Sequence, residues 1–426
     1  MNLFIIILGK IISSVSKKLN LGHGSTWPGH IALKLNPNFV KDVLKKSNAK
    51  TILIAGTNGK TTTAKLLQTI LAKNHKKVLH NTSGANLLNG VASSLLLASP
   101  IFGTLEADFA TFELDENALP EFLEKAEPDY IVALNLFRDQ LDRYGEIDTI
   151  SKRWKKSLSK LTNTKLILNA DDVQIAFLGK DIKLDSFYFG LNEKKLEKSA
   201  LQHASDSILC PNCEAPLNFK AYYFSHLGIW ECAICKFKRP NNIFSDFSYF
   251  PLKGTYAKYD ILSAVLLAKI MGFNDFQIEN ALREFQPAFG RQEVIDYQGK
   301  QIELFLSKNP ISFNESLSTI RDLEAKTLLI ILNDDIPDGL DVSWIWDVDF
   351  EQILDKNVNI VVSGIRAYDM AIRLKYAGFY VHIADTVENA ISVSLKDLEN
   401  NEKLFILPNY SAMLETRRIL TGKKIL

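Results

Sequence analysis

The stretch Thr51-Ile-Leu-Ile-Ala-Gly-Thr-Asn-Gly-Lys-Thr-Thr-Thr-Ala-Lys-Leu-Leu67 sets a short apolar strand, a turn with two glycines and a helix in immediate succession. Gly56 and Gly59 let the backbone turn tightly and approach a ligand closely, so successive N–H groups and the start of the next helix can surround phosphate oxygens. Lys60 then reaches toward β/γ-phosphates, and Thr61 offers a hydroxyl to Mg²⁺. The pattern G-x-x-x-x-G-K-[ST] is met only in part, because Ile54 stands five positions before Gly59. We read Gly56, Thr57, Asn58, Gly59, Lys60, Thr61 and Thr62 as a nucleotide-binding loop; a Gly-rich turn with an ordinary surface lysine is the alternative.

From Thr51 to about Asp172, apolar runs alternate with amphipathic segments, which predicts a doubly wound α/β domain. The strand candidates are Thr51–Ala55, Val78–Asn81, Phe109–Glu113, Tyr130–Leu134 and Lys165–Leu168. Ligands in such folds gather beyond the carboxyl ends of the strands, so the residues that follow each run carry the information. Glu113 ends the third run and is a candidate Mg²⁺ ligand. After the fourth comes Asn135 and a charge-dense segment to Asp148, which a solvated helix start explains equally. After the fifth come Asn169 and Asp172, suited to the nucleoside end of a ligand or to a turn with an N-cap.

All four cysteines fall in Cys210-Pro-Asn-Cys213 and Cys232-Ala-Ile-Cys235, with 18 residues between the pairs. That is the spacing of a zinc ribbon, whose four thiolates close a tetrahedral Zn²⁺ site. Tyr222, Tyr223, Phe224 and Trp230 lie between the pairs and predict short strands. With no position left open for catalysis, the expected zinc is structural, supporting an insertion too small to bury a core of its own.

Beyond the ribbon, Tyr259–Met271 reads as a helix and Pro287–Glu293 as a linker, with Arg291 placed to cross back toward the phosphates. A second α/β unit follows, with strands near Ile302–Leu306, Thr327–Leu332, Ile360–Val362, Tyr380–Ile383 and Leu404–Leu407. It contains the most acidic stretch, Asn333 to Glu351, with Trp344 and Trp346 expected on the surface. Fifty lysines and arginines against 49 aspartates and glutamates leave no overall electrostatic footprint for nucleic acid. At the N-terminus, Leu3–Leu8 is strongly apolar, but Lys10 interrupts it far short of a membrane span. Ile5, Leu8, Ile11, Ile12 and Val15 recur at helical spacing, which predicts an amphipathic helix that packs on the next domain or touches a membrane surface.

Gly56-Thr-Asn-Gly-Lys-Thr-Thr62 resembles the phosphate loop of the Mur ligase superfamily, whose members join an amine to a carboxylate at the expense of ATP. The four-cysteine ribbon, Arg138–Asp148, Lys308-Asn-Pro310, Asp338-Gly-Leu-Asp-Val-Ser-Trp344 and Pro408-Asn-Tyr410 narrow this: together they resemble the MurT family, the ligase-like subunit of lipid II isoglutaminyl synthase. The resemblance implies an N-terminal helical segment (1–48), a central ATP-binding domain (49–297) with a parallel-type sheet and the ribbon inserted at about 207–240, and a Rossmann-like C-terminal α/β domain (298–426). It implies ATP, Mg²⁺ and Zn²⁺ as cofactors, a GatD-type glutamine amidotransferase subunit as heterodimeric partner, membrane-linked lipid II as substrate, and the inner face of the cytoplasmic membrane as workplace. Lys60, Thr61 and Glu113 would serve phosphate and Mg²⁺, Asn169 and Asp172 the nucleoside, and Arg291 the phosphates. Asp341 would complete a catalytic triad with the partner's cysteine and histidine.

The chain departs from the family pattern in three places. Gln140 replaces a common histidine, Leu340 a common arginine, and Ala257 and Asp260 replace both asparagines of Gly-x-Phe-Asn-x-Tyr-Asn. An autonomous amino-acid ligase of the same superfamily and a non-catalytic, nucleic-acid-binding ribbon protein are the alternative readings.

Overall fold

The computed structural model describes residues 2–18, 26–81, 85–138, 147–199, 202, 205–336, 338–396, 398–399 and 402–423; Gln140 lies outside them. In the first unit, β1 (Lys50–Ala55), β2 (Val78–His80), β3 (Phe109–Leu114), β4 (Tyr130–Ala133), β5 (Lys165–Asn169) and β6 (Ser186–Phe189) follow the predicted alternation. The chain then leaves the sheet to form the hairpin β7 (Leu217–Phe224) and β8 (Leu227–Cys232), and returns as β9 (Ile243–Phe244). The sheet order is β2-β3-β1-β4-β5-β6-β9, and every pairing is parallel.

Side chains of β1 alternate between two buried layers, as a strand covered on both faces requires. Ile52 and Ile54 enter one cluster with Leu66, Leu67, Ile70 and Leu71 of the helix Lys60–Lys73. Leu53 and Ala55 enter the other with Val91, Leu95 and Leu96 of the helix Leu88–Ala98. Each such residue is fully buried, and each isoleucine, leucine and valine among them contributes about 1.5–3 kcal/mol relative to exposure. Because the chain runs outward to β2 and β3 and then crosses to β4, the strand order reverses beside β1, where a ligand crevice forms at the carboxyl ends.

The second sheet contains β10 (Arg291–Tyr297), β11 (Lys300–Phe305), β12 (Thr327–Ile331), β13 (Asn359–Ser363), β14 (Val381–Ile383) and β15 (Lys403–Pro408), in the order β10-β11-β15-β12-β13-β14. Only β10 runs antiparallel. Gln298 and Gly299 both have positive φ, 51° and 78°, the requirement of a two-residue hairpin turn whose twist matches its strands. That hairpin puts Arg291–Tyr297 on the second sheet, ahead of the boundary expected after residue 297, and makes a strand of the end of the expected linker. The helix expected from Tyr259 begins at Thr255, one residue after Gly254, which has φ 88°.

The helix Asn2–Lys18 forms, but with a different packed face from the one its periodicity predicts. Ile5, Ile6, Gly9 and Ser13 are buried, whereas Ile11 and Val15 are exposed. The cause is a close approach: a Cβ on Gly9 would stand 2.4 Å from Leu96 Cδ1, so the glycine sits at the contact beside Ile5 and Ile6, and Ile11 and Val15 face outward. Among the described residues no helix is long and apolar enough to cross a membrane.

Candidate active site

A cavity of about 440 Å³ opens between the two units. One wall is the loop after β1, with Thr57 to Thr62, and with Glu113, Asn135 and Phe137 from the ends of β3 and β4. The facing wall comes from Arg291, Lys308, Ser312, Glu315 and Tyr410.

The loop is shaped by its neighbours before any ligand arrives. Thr57 N–H donates to Asn135 O at 3.0 Å, and Asn58 N–H to Asn135 Oδ1 at 2.9 Å, while Asn135 Nδ2 donates back to Asn58 O at 3.1 Å. Phe137 N–H donates to Thr57 Oγ1 at 3.0 Å. Gly59 carries φ 89° at the start of the helix Lys60–Lys73, and a Cβ there would come within 2.1 Å of Asp260 Oδ1, so only glycine fits. Lys60 Nζ donates to the carbonyls of Gly56 and Thr57, folded over the loop rather than paired with a carboxylate. Thr61 Oγ1 donates to Glu113 Oε2 at 2.6 Å. Glu113 is itself fixed by Asn81, which accepts from its N–H and donates to its carbonyl, both at 2.9 Å. A hydroxyl and a carboxylate oxygen side by side, open to the cavity, are a hard-oxygen donor set of the type Mg²⁺ takes together with phosphates.

Three cavity-lining residues retain a buried polar atom with no hydrogen-bond partner among the described residues: Asn58 Nδ2, Asp260 Oδ2 and Glu315 Oε1. Such atoms are costly unless a ligand or water meets them, so the cavity suits a strongly polar guest. Burial raises the Asp260 carboxyl to about 8 against the opposing pull of Arg291, and raises Glu315 to about 7 against Lys198. The Arg291 guanidinium lines the same space; burial lowers its pKa, and Glu113 and Asp260 act to hold its charge. The sequence marked Asp260 only as a departure from the family motif, in place of an asparagine, and did not mark Glu315 at all. Asp260 sits on a helix face that is otherwise core, and Glu315 stands one turn after Ile311 on a helix whose two sides are both largely buried.

Asn169 and Asp172 do not line the cavity; both are fully buried. Asn169 donates to Leu134 O at 2.8 Å and accepts from Asp171 N–H at 3.0 Å. Asp172 Oδ1 caps the helix Val173–Leu178 through Gln174 N–H and Ile175 N–H, and its Oδ2 accepts from Leu136 N–H at 2.8 Å. With their polar groups spent internally, the capping geometry describes them better than a nucleoside contact. Asp341 also lies away from the cavity. It is exposed, accepts from Ser343 N–H at 2.8 Å, and is held below the usual carboxylate range by that bond. Trp346 beside it is exposed, but Trp344 is half-buried against Phe313.

The four cysteines meet at the far end of the β7–β8 hairpin. Their sulfurs all lie within 4.8 Å of one another, with Cys210 Sγ to Cys235 Sγ at 3.6 Å and Cys213 Sγ to Cys232 Sγ at 3.5 Å. These separations are far beyond a disulfide bond of ~2.05 Å. They approach the ~3.8 Å that tetrahedral Zn–S bonds of ~2.3 Å impose. The hairpin's other end is buried: Phe224, Ser225, His226 and Leu227 form its turn, and Phe224 lines the cavity. The ribbon is bound to the end of β5 by Trp230 Nε1 to Ala170 O at 3.2 Å and Gly228 N–H to Asp171 O at 3.1 Å. His226 Nε2 stands 3.5 Å from Asp172 Oδ2, and its ring lies 5.0 Å from that of Phe137.

Known proteins resemble this chain in sequence and in fold. The family model for the Mur ligase middle domain matches residues 54–219, and that for the MurT ligase C-terminal region matches 306–413. The lipid II isoglutaminyl synthase (glutamine-hydrolyzing) subunit MurT of Streptococcus pneumoniae is 32% identical over 427 residues, covering 95% of this chain and 94% of the relative. Its counterpart from Staphylococcus aureus is 31% identical over 428 residues, with the same coverage. Among solved structures, a pseudomurein peptide ligase type C from Methanothermus fervidus superposes with a TM-score of 0.68 at 21% identity, covering 90% of this chain and 81% of that one. MurF from Acinetobacter baumannii superposes with a TM-score of 0.64 at 18% identity, covering 92% and 79%.

Proposed function

Because this chain belongs to the MurT family of Mur-type ligases, we propose that it is the ATP-using subunit of a lipid II isoglutaminyl synthase, amidating the α-carboxyl of D-glutamate in the lipid II stem peptide. A carboxylate is a poor electrophile until one of its oxygens becomes a leaving group. In the proposed reaction a substrate carboxylate oxygen attacks the γ-phosphorus of ATP, releasing ADP and leaving an acyl phosphate. Ammonia then attacks the acyl carbon, phosphate departs, and the nitrogen loses a proton to give the amide.

The loop amides and Lys60 would hold the phosphates, and Arg291 would approach them from the other unit, so that the site is complete only with both walls in place. Thr61 and Glu113 would hold Mg²⁺, which when bound supplies charge neutralisation during phosphoryl transfer. Zn²⁺ would sit on Cys210, Cys213, Cys232 and Cys235 in a structural role.

The observation that carries the two-subunit reading is the pairing of Asp341 with the cysteine inventory. Every cysteine of the chain is in the ribbon cluster, so none is left to act as the nucleophile that releases ammonia from glutamine. Asp341 nonetheless stands exposed on a loop with Leu340 and Ile336, which are 76% and 90% exposed. That suits a carboxylate offered to the cysteine and histidine of a GatD-type glutaminase docked there. With a lipid-linked substrate, the heterodimer would work at the cytoplasmic face of the membrane.

The test is amidation of purified lipid II with ATP and Mg²⁺, comparing ammonium salt alone with glutamine plus the co-expressed glutaminase, read by mass spectrometry as –OH replaced by –NH₂. Glutamine serving only with the partner present supports the reading. No amidation under either condition, with ADP released instead on adding a free amino acid, would move the assignment to an autonomous amino-acid ligase.

A further inference from the structure

The helix Asn2–Lys18 is apolar on two opposite sides, and only one of them is covered. Ile5, Ile6, Gly9 and Ser13 pack inward, toward the helices Trp27–Leu35 and Leu88–Ala98. On the other side Leu3, Ile7, Ile11 and Val15 recur every fourth residue, which puts them along one line of the helix, with Phe4 beside them. All five are exposed, Phe4 by 65% and Ile11 by 54%, and the next helix opens with Trp27, also 65% exposed. A continuous apolar line of this kind is unusual on a protein surface and marks a contact.

Charge says what covers it. The first fifty residues hold eight lysines and one aspartate, leaving 42 basic against 48 acidic residues in the rest of the chain. The chain as a whole is nearly neutral, so its positive charge is concentrated in the segment that carries the apolar line. A second copy of the same segment would bring like charges together. An anionic bilayer would instead attract the lysines while the apolar side chains and Trp27 enter the headgroup boundary. We propose that the outward face of the helix Asn2–Lys18 docks the protein on an anionic membrane surface, lying in the plane of the interface. This goes beyond the proposed amidation and needs neither ATP nor lipid II, although it would bring the cavity to a membrane-linked substrate.

The experiment is co-sedimentation of the full chain, bound to its glutaminase, with phosphatidylcholine vesicles that lack lipid II and contain either none or about a quarter phosphatidylglycerol. The expected result is binding to the anionic vesicles only, weakened by added salt. The doubly substituted variant Ile7→Asp/Ile11→Asp should lose at least tenfold in partitioning while keeping the wild-type melting temperature, since both side chains are exposed. It should also amidate detergent-solubilised lipid II at the wild-type rate, so a failure of the ligase assignment would not be confused with a failure of docking. If that variant folds poorly, Lys10→Glu/Lys34→Glu should abolish the preference for anionic vesicles. Equal binding to both vesicle types, no binding to either, or a lipid-independent dimer that the aspartate pair dissolves would each overturn the proposal.

Discussion

Thr61 Oγ1 donates to Glu113 Oε2 at 2.6 Å, joining the first turn of the loop helix to the carboxyl end of β3. Lys60 is one residue away but makes its bonds to backbone carbonyls of its own loop, so no buried carboxylate depends on it. Lys60→Ala should therefore cut ATP turnover by about 10²–10³, comparable with the cost of removing one donor from an oxyanion hole, while the melting temperature stays within about two degrees. Glu113→Ala should lower turnover comparably. ADP release and thermal unfolding of the same preparations check both.

Asp260 supplies a pH dependence with a definite sign. Its carboxyl is buried against Gly59 and titrates at about 8, raised by burial, with Arg291 opposing and the Tyr256 hydroxyl also nearby. Below that pH it is a neutral acid with a proton to donate from an otherwise unpartnered oxygen. Above it, the group is a carboxylate beside the loop proposed to hold the phosphates, where repulsion and desolvation would both act against the ligand. The Kd for ATP should rise severalfold as pH climbs through about 8. Asp260→Asn, which keeps the shape and a donor, should flatten that profile; an unchanged profile in the variant would remove Asp260 from nucleotide recognition.

The two sheets, the glycine turn after β1 and the cysteine cluster were legible in the sequence because each rests on local signals: apolar runs bounded by turns, glycines where φ must be positive, and paired Cys-x-x-Cys spacing. What was not legible depends on which polar groups find internal partners. Asn169 and Asp172 carry the right side chains in the right place after β5, but the folded chain spends them on Leu134, Leu136 and a helix N-terminus. Glu315 was hidden for the converse reason, since a lone acid inside an apolar helix pattern does not reveal that it faces a cavity, and Asp260 showed only as a replaced motif asparagine. In the first helix Ile5 of the predicted apolar set packs inward while Ile11 and Val15 do not, because periodicity ranks side chains by hydrophobicity, whereas Gly9 permits the close contact by having no side chain.

The ribbon predicts a metal effect that reaches the nucleotide. Its four sulfurs stand at one end of the hairpin, and Phe224 lines the cavity at the other, β7 alone being ~26 Å long at the rise of an extended strand. Cys210→Ser should lose zinc, lower the melting temperature by several degrees and, through the loosened hairpin, weaken ATP binding severalfold. A chelator applied to the wild-type protein should reproduce both changes, and readded Zn²⁺ should reverse them. Calorimetric ATP affinities that are identical with and without metal would confine the ribbon to a local structural role.

A substitution at Asp341 should separate the two proposed half-reactions. The residue lies outside the cavity, and Ser343 donates to it from its backbone N–H at 2.8 Å and from its side chain, bonds that an asparagine oxygen can accept equally well. Asp341→Asn should therefore fold normally, bind ATP normally and amidate lipid II with supplied ammonium at the wild-type rate. What it removes is a negative charge on an exposed loop, the property needed to orient and stabilise a histidine that becomes positively charged in a partner's active site. Loss of that charge in a comparable triad costs about 10⁴ in rate, so glutamine-dependent amidation by the heterodimer should fall by about 10³–10⁴. Complex formation, followed by size-exclusion chromatography, should be unaffected, which separates lost catalysis from lost docking. Retained glutamine-dependent turnover in this variant would mean that the glutaminase completes its own triad and that Asp341 serves only to shape its loop.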